Sequence, residues 1–352
     1  MCEIAMPKIK AGIINVTGYV GTELARLLYQ HPQVELTVVT GRSAAGQKLG
    51  DIFPSLSDVK HSIKAELDSD VDIAFSALPH KSSVDVVPSL LKQGIRVIDA
   101  SADFRLKDAG EYPKWYGFTH PSPELLNEAV YGLPELHRAK IASASLVANP
   151  GCYSTGAILA LAPVVKEGLV YPDIIVDSKS GVSGAGRALS LATHYSEVNE
   201  NTYAYSLEGH RHLPEMEQEL KMLNPELSLS ITFVPHLVPM TRGILTSCYA
   251  RLKETKLARS DKAKEELQQL YHDFYKDDPF TKVVNKPPQT KYSWGNNSCL
   301  VYPTIDLRTD RLIVISCLDN LVKGGAGQAV QNMNLMFHLP ETTGLESLAI
   351  YP

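Results

Sequence analysis

The chain has 352 residues, 44% of them hydrophobic and 21% charged, the ordinary composition of a folded globular protein. Length alone suggests about two domains, and this much apolar material excludes a disordered or collagen-like chain. Lys and Arg total 34 against 39 Asp and Glu, a formal charge of -5, which gives no global electrostatic reason to bind nucleic acid.

The first part of the chain alternates short apolar strands with helices. Residues 8–16 (KIKAGIINV) form a β-branched run. Residues 22–31 read as a helix with Leu24, Leu27 and Leu28 on one face. Strands follow at 34–40, 71–77 and 95–100, with a helix at 83–93 stopped by Gly94. This is the pattern of a doubly wound parallel sheet. The rhythm changes near residue 145. A short strand at 145–148 leads into the turn NPGCYSTG and a helix over 154–167. Strand-like pieces at 173–178, 229–235, 243–251 and 312–319 then surround a charged helix at 260–275, and a helix closes the chain at 325–337. The expected fold is α/β: a doubly wound parallel sheet plus an α+β domain with a mostly antiparallel sheet. No repeat or low-complexity segment interrupts it, and no apolar run approaches the roughly 20 residues needed to span a bilayer.

Gly12, Gly18 and Gly21 flank the first strand-to-helix turn (AGIINVTGYVGTEL). Glycines there let a pyrophosphate approach the backbone at a helix N-terminus, where unpaired N–H groups and the dipole favour an anion. The alternative is a plain tight turn with no ligand; the position after the first strand and before a helix favours the ligand. Asn15 stands where the first loop glycine of such a turn is expected. The second strand ends in Thr40, Gly41, Arg42 and Ser43. A NAD site usually places a carboxylate there; an Arg–Ser pair suits the 2′-phosphate of NADP instead.

Five cysteines stand at positions 2, 152, 248, 299 and 317. The number is odd and no pair has metal-ligand spacing, so free thiols in a reducing, cytoplasmic setting are expected. The N-terminal MCEIAMPKIK has no apolar stretch, so no signal peptide is expected. Cys248, Cys299 and Cys317 sit in apolar surroundings and read as buried structural thiols; Cys2 is near the terminus. Cys152 alone follows an Asn-Pro-Gly turn and opens a helix, where the dipole favours thiolate and hence a nucleophile. Glu208 to Glu215 (EGHRHLPE) holds two histidines around Arg211, residue types that supply an acid/base and an anion site. Partners at ligand spacing are missing, so no metal is expected. The loop SGVSGAGR, residues 180–187, offers hydroxyls and backbone N–H groups with Arg187 as counter-charge.

These strings together resemble the N-acetyl-gamma-glutamyl-phosphate reductases, NADP-dependent enzymes of arginine biosynthesis. The resemblance runs through TGYVGTELARLL, ASADFRL, YGLPE, NPGCYSTG, SGVSGAGR, EGHRHLPE, FVPHLVPMTRGI and DNLVKGGAGQAVQNMN. It implies a Rossmann-type NADP-binding domain over 1–150 and 320–352, and a catalytic and dimerisation domain over 151–319. Cys152 matches the family's nucleophile and His212 its acid/base. Cofactor contacts are expected at Thr17, Gly18, Tyr19, Val20, Gly21, Arg42, Ser43, Ser183, Gly184 and Asn320. Substrate contacts are expected at Arg105, Ser180, Arg187, His210 and Glu215, with Glu215 placed to orient a histidine. The implied partners are a small acyl phosphate, NADP(H) and further copies of the chain in a dimer or tetramer, without nucleic acid or membrane. Two alternatives share most of these motifs: the lysine-biosynthesis reductase acting on a carrier-bound aminoadipyl phosphate, and a non-catalytic NADP-binding scaffold.

Overall fold

A computed structural model describes residues 7–68, 70–253 and 260–352; Cys2 lies outside them. The chain groups into two compact units. One runs to Asn149 and takes in Ala326–Glu346; the other is Pro150–Gly325 with Ser347–Pro352.

The first unit is built on a parallel sheet. Its strands are β1 (Ile9–Ile14), β2 (Val34–Val39), β3 (Ile73–Ser76), β4 (Arg96–Asp99), β5 (Val130–Tyr131) and β6 (Leu146–Ala148), in the spatial order β2-β1-β3-β4-β6-β5. All four residues of β3 are buried, as expected for a parallel sheet covered on both faces. The helix Tyr19–Gln30 buries Leu24, Leu27 and Leu28, and Ser83–Lys92 buries Val84, Val87 and Leu90, the stripes that the 3.6-residue period set out. Because β1 lies between β2 and β3, the strand order reverses there. In such sheets the ligand crevice opens at the carboxyl ends of those strands.

The predicted C-terminal helix is Gly327–Met336, preceded by a π-helical turn over Val322–Ala326. The helix is buried along its whole length, amides included. Those amides are used. Asn332 Nδ2 donates to Gly132 O (2.9 Å) and to Asn149 Oδ1 (3.1 Å). Asn334 Nδ2 donates to Glu341 O and Thr343 O, while its Oδ1 faces His31 Nε2 at 3.0 Å. The His31 Nδ1 accepts from Gln33 N–H, so Nε2 carries the proton and the ring is neutral.

The second unit holds a seven-stranded mixed sheet. Its strands are β7 (Val170–Gly181), β8 (Tyr203–Ala204), β9 (Ser230–Val238), β10 (Ile244–Leu252), β11 (Thr281–Val283), β12 (Cys299–Asp306) and β13 (Arg311–Leu318), ordered β11-β12-β13-β10-β7-β9-β8. The pairs β7–β9 and β11–β12 are parallel and the others antiparallel. The strand expected to stop at Pro235 continues to Val238. The Pro235 carbonyl accepts from Tyr205 N–H at 3.1 Å, so the side of the backbone lacking an N–H faces the two-residue β8 and leaves the β7 ladder intact. β12 was not anticipated, and it contains Pro303. That carbonyl accepts from Gln268 Nε2 at 2.8 Å, beyond the point where β11 ends. The helix Cys152–Lys166 lies on one face of this sheet, where Ser316 Oγ donates to Gly156 O at 2.8 Å. Helix Asp261–Tyr275 is fastened to it by Tyr271 and Tyr275, whose hydroxyls donate to Ala160 O and Leu159 O. Among the described residues, no helix is long and apolar enough to cross a membrane.

Burial holds His31 and His120 below the usual histidine pKa, and His210 down to about 4. The unfolded chain therefore binds more protons than the folded one once the pH drops below about 6.5. The stability these rings confer is complete above that value and is lost as the pH falls through their folded pKa values. We expect the urea midpoint to fall between pH 7 and pH 5, and to fall less in a His31→Gln variant. An identical pH slope in the two proteins would show that the His31 ring is not held neutral.

Candidate active site

In the first unit, Asn15 takes a left-handed backbone with φ 66°, the conformation for which a glycine was expected and which asparagine tolerates best among other residues. Its Nδ2 donates to Ala77 O at 2.8 Å, joining the loops that follow β1 and β3. Gly21 is obligatory: an added Cβ would stand 2.4 Å from Asn15 O. At Gly18 the nearest atom to such a Cβ is 3.7 Å away, so its surface is open. Gly18 also caps the helix Tyr19–Gln30 without any side-chain bond, leaving first-turn N–H groups for a ligand. Gly41 packs on Thr17, 3.5 Å from a virtual Cβ, and the exposed Arg42 and Ser43 follow it. The sequence-predicted cofactor residues Thr17–Gly21 and Arg42–Ser43 thus share one end of the sheet. This surface fits a dinucleotide phosphate backbone.

Arg105 is also in the first unit, but buried. Its Nε donates to Asn149 O (2.8 Å) and its Nη2 to Ala100 O (3.0 Å). These bonds brace the chain where β6 ends.

In the second unit, Cys152 is the first residue of Cys152–Lys166, with Gly151 at the cap position. Cys152 is half-buried, whereas Cys248, Cys299 and Cys317 are buried. Burial pushes the Cys248 thiol well up and the Cys317 thiol up to about 12, so these two stay protonated and unreactive. Cys152, Ser180, Gly184, His210 and His212 line one cleft of about 250 Å³.

Close backbone approach shapes that cleft. A Cβ on Gly151 would fall 2.7 Å from His212 Nε2, and one on Gly324 would fall 2.8 Å from the Cys152 Cβ. The imidazole of His212 therefore lies directly on the residue preceding the thiol. His212 caps the helix Leu213–Leu223, and its carbonyl accepts from Ser154 Oγ at 3.3 Å. His210 accepts the His212 N–H on Nδ1 (3.1 Å) and packs edge-on against the His212 ring, with centroids 4.7 Å apart. Burial, then the charge of Arg211, lowers His210 to a pKa of about 4, so at neutral pH it is uncharged with its proton on Nε2.

Glu215 does not line the cleft. It is fully buried, and its Oε2 accepts the Gly151 N–H at 3.0 Å. The carboxylate expected to orient a histidine holds the backbone of the cysteine turn. Ser183 and Asn320 lie behind Gly184. Asn320 Nδ2 donates to Ser183 Oγ (2.9 Å), and its Oδ1 accepts from Gly243 N–H (2.7 Å). Arg187 is exposed and outside the cleft.

Sequence reasoning missed Tyr153, Ala185, Tyr205 and Leu237, which complete the wall; Arg211, read with the histidines as part of an anion site, lines it too. The Tyr205 hydroxyl donates to that of Tyr153 (3.0 Å), which donates to His236 O (3.1 Å). Burial raises both phenols, Tyr205 to about 12, so they remain protonated donors. Tyr153 was findable by its place after Cys152. Tyr205 carries no local signal.

The chain matches two family models: semialdehyde dehydrogenase, NAD binding domain, over residues 10–144, and semialdehyde dehydrogenase, dimerisation domain, over residues 152–320. Among solved structures it has the fold of aspartate semialdehyde dehydrogenase II from Vibrio cholerae in complex with ASA. There the TM-score is 0.69 at 17% identity, covering 94% of this chain and 98% of that one. The enzyme with NADP from Candida albicans gives the same score at 16% identity, with the same coverage. Fold and cleft thus define a semialdehyde dehydrogenase-type oxidoreductase. An N-acetyl-gamma-glutamyl-phosphate reductase of Dehalococcoides mccartyi is 57% identical over 99% of this chain and its own full length, and one of Heliobacterium modesticaldum is 49% identical over 98% of this chain and its full length. The chain belongs to the N-acetyl-gamma-glutamyl-phosphate reductase family.

Gly151→Ala places a methyl group against the His212 ring. Because misplacing a reacting group by about 1 Å costs on the order of 100-fold in rate, we expect turnover to fall by about that factor with the circular dichroism spectrum unchanged. Normal turnover would mean that the ring position is not critical.

Proposed function

We propose that this chain reduces N-acetyl-L-glutamyl 5-phosphate to N-acetyl-L-glutamate 5-semialdehyde with NADPH, releasing phosphate. The observation that carries this reading is the half-buried Cys152 at a helix start, with His212 lying on the residue before it in the same cleft, in a chain of this family.

The Cys152 thiolate attacks the acyl carbon. The carbon–oxygen bond to phosphorus breaks, phosphate leaves with the electron pair, and a thioester remains. Bound NADPH supplies a hydride to the thioester carbonyl. His212 gives a proton to the oxygen that becomes anionic and takes it back as the thiohemiacetal collapses, the carbon–sulfur bond breaking to restore the thiolate. His210, neutral with an Nε2 proton, is a donor for the substrate's oxygens. Glu215 acts through the backbone by holding Gly151 in place.

Thr17 to Gly21 would hold the cofactor's pyrophosphate on open backbone at a helix start, with Arg42 and Ser43 on the 2′-phosphate. Ser183, Gly184 and Asn320 would meet its nicotinamide end, where the two bonds of Asn320 keep the Ser183 turn rigid. The need for a reduced Cys152 supports a cytoplasmic setting.

A homo-oligomer is part of this reading. One face of the seven-stranded sheet carries the Cys152–Lys166 helix. The opposite face presents Ile175, Tyr249, Ile313 and Ile315, all partly exposed. A second copy covering that apolar face fits the dimerisation-domain match.

The decisive assay runs in reverse: the semialdehyde, NADP and phosphate should yield NADPH. Cys152→Ser should lose turnover by several orders of magnitude while still binding NADP; near-normal turnover would remove the nucleophile. Arg42→Ala should weaken NADPH by about tenfold or more, the worth of a charge-assisted pair, and NADH little. Equal losses would remove the 2′-phosphate contact. Ile313→Asp should shift the sedimentation coefficient toward that of a single chain, and an unshifted oligomer would place the interface elsewhere.

A further inference from the structure

The reaction above takes a substrate with two anionic ends, a phosphate and a carboxylate. Of the described side chains that line the Cys152 cleft, only Arg211 carries a permanent charge. The two other arginines expected to take an anion lie elsewhere. Arg105 is buried on backbone carbonyls, and Arg187 stands outside the cleft.

Arg211 sits on a stiff base. The His212 N–H is fastened to His210 Nδ1 (3.1 Å), and the Leu213 N–H to His210 O (2.8 Å), closing a tight turn around it. Its backbone is thereby preorganised. Its side chain is exposed, so its charge carries no burial cost. Its field already reaches the cleft, adding to the effect of burial in lowering the His210 pKa.

We propose that Arg211 is a specificity-determining residue, its guanidinium holding an oxyanion of the substrate beside Cys152. This rests on the reaction assigned above. A guanidinium fork meets either a carboxylate or a phosphate with two parallel hydrogen bonds, and it has no proton to exchange at neutral pH. The role is therefore binding.

The test is the reverse assay with wild type, Arg211→Gln and Arg211→Lys, varying the semialdehyde and inorganic phosphate separately. Arg211→Gln should raise one of the two KM values by about tenfold or more, the loss falling on KM more than on kcat, and Arg211→Lys should restore part of it. A rise for the semialdehyde assigns the carboxylate; a rise for phosphate assigns the phosphate. If neither KM moves while circular dichroism shows a folded variant, or if kcat alone falls, the proposal is overturned. Absence of turnover in the wild type would overturn the reaction itself, and so separates the two failures.

Discussion

The hydrogen bond from Gly151 N–H to the buried Glu215 carboxylate is the constraint on which the site depends. A carboxylate out of water is costly unless its oxygens are satisfied. Here the cost fastens two parts of the chain that are 64 residues apart. Glu215 lies in the first turn of the helix that His212 caps, and Gly151 caps the helix that Cys152 opens. One bond therefore registers the two helix starts, and with them the thiol and the imidazole. The bond from Ser154 Oγ to His212 O repeats the same tie one turn along.

Glycine makes the register possible. At Gly151 and Gly324 a side chain would collide with His212 and Cys152 respectively, so only glycine lets these segments approach so closely. The π-helical turn that presents Gly324 is held by Asp319, whose Oδ1 accepts the Leu321 and Val322 N–H groups. Next to it, Asn320 locks the Ser183 turn to Gly243. The amide of Asn320 and the carboxylates of Asp319 and Glu215 are spent here on backbone geometry.

The first unit shows the converse case, where a local rule was satisfied by an unexpected residue. Asn15 adopts the left-handed conformation that the dinucleotide turn requires and adds a side-chain bond to Ala77 O, which a glycine has no atoms to make. The departure from the glycine pattern therefore leaves the turn intact. Most of this unit was legible because its strands are short apolar runs separated by amphipathic helices. In the second unit β12 escaped notice because Pro303 interrupts its alternation, and β9 was cut short at Pro235. Both prolines are harmless for a reason visible only in three dimensions: each turns its missing donor away from a ladder that needs it.

By itself, the sequence determined the alternating architecture, the break near residue 145, the singular Cys152 and the histidine pair, because these depend on local periodicity and on residue type at a turn. Tertiary structure alone decided what each polar group faces. It put Glu215 on Gly151 and Arg105 on carbonyl oxygens, left Arg187 outside the cleft, and brought Tyr205 and Arg211 into it. Partners of this kind are set by packing between segments distant in the chain, and no local pattern encodes which of two arginines will be buried and which will line a cleft.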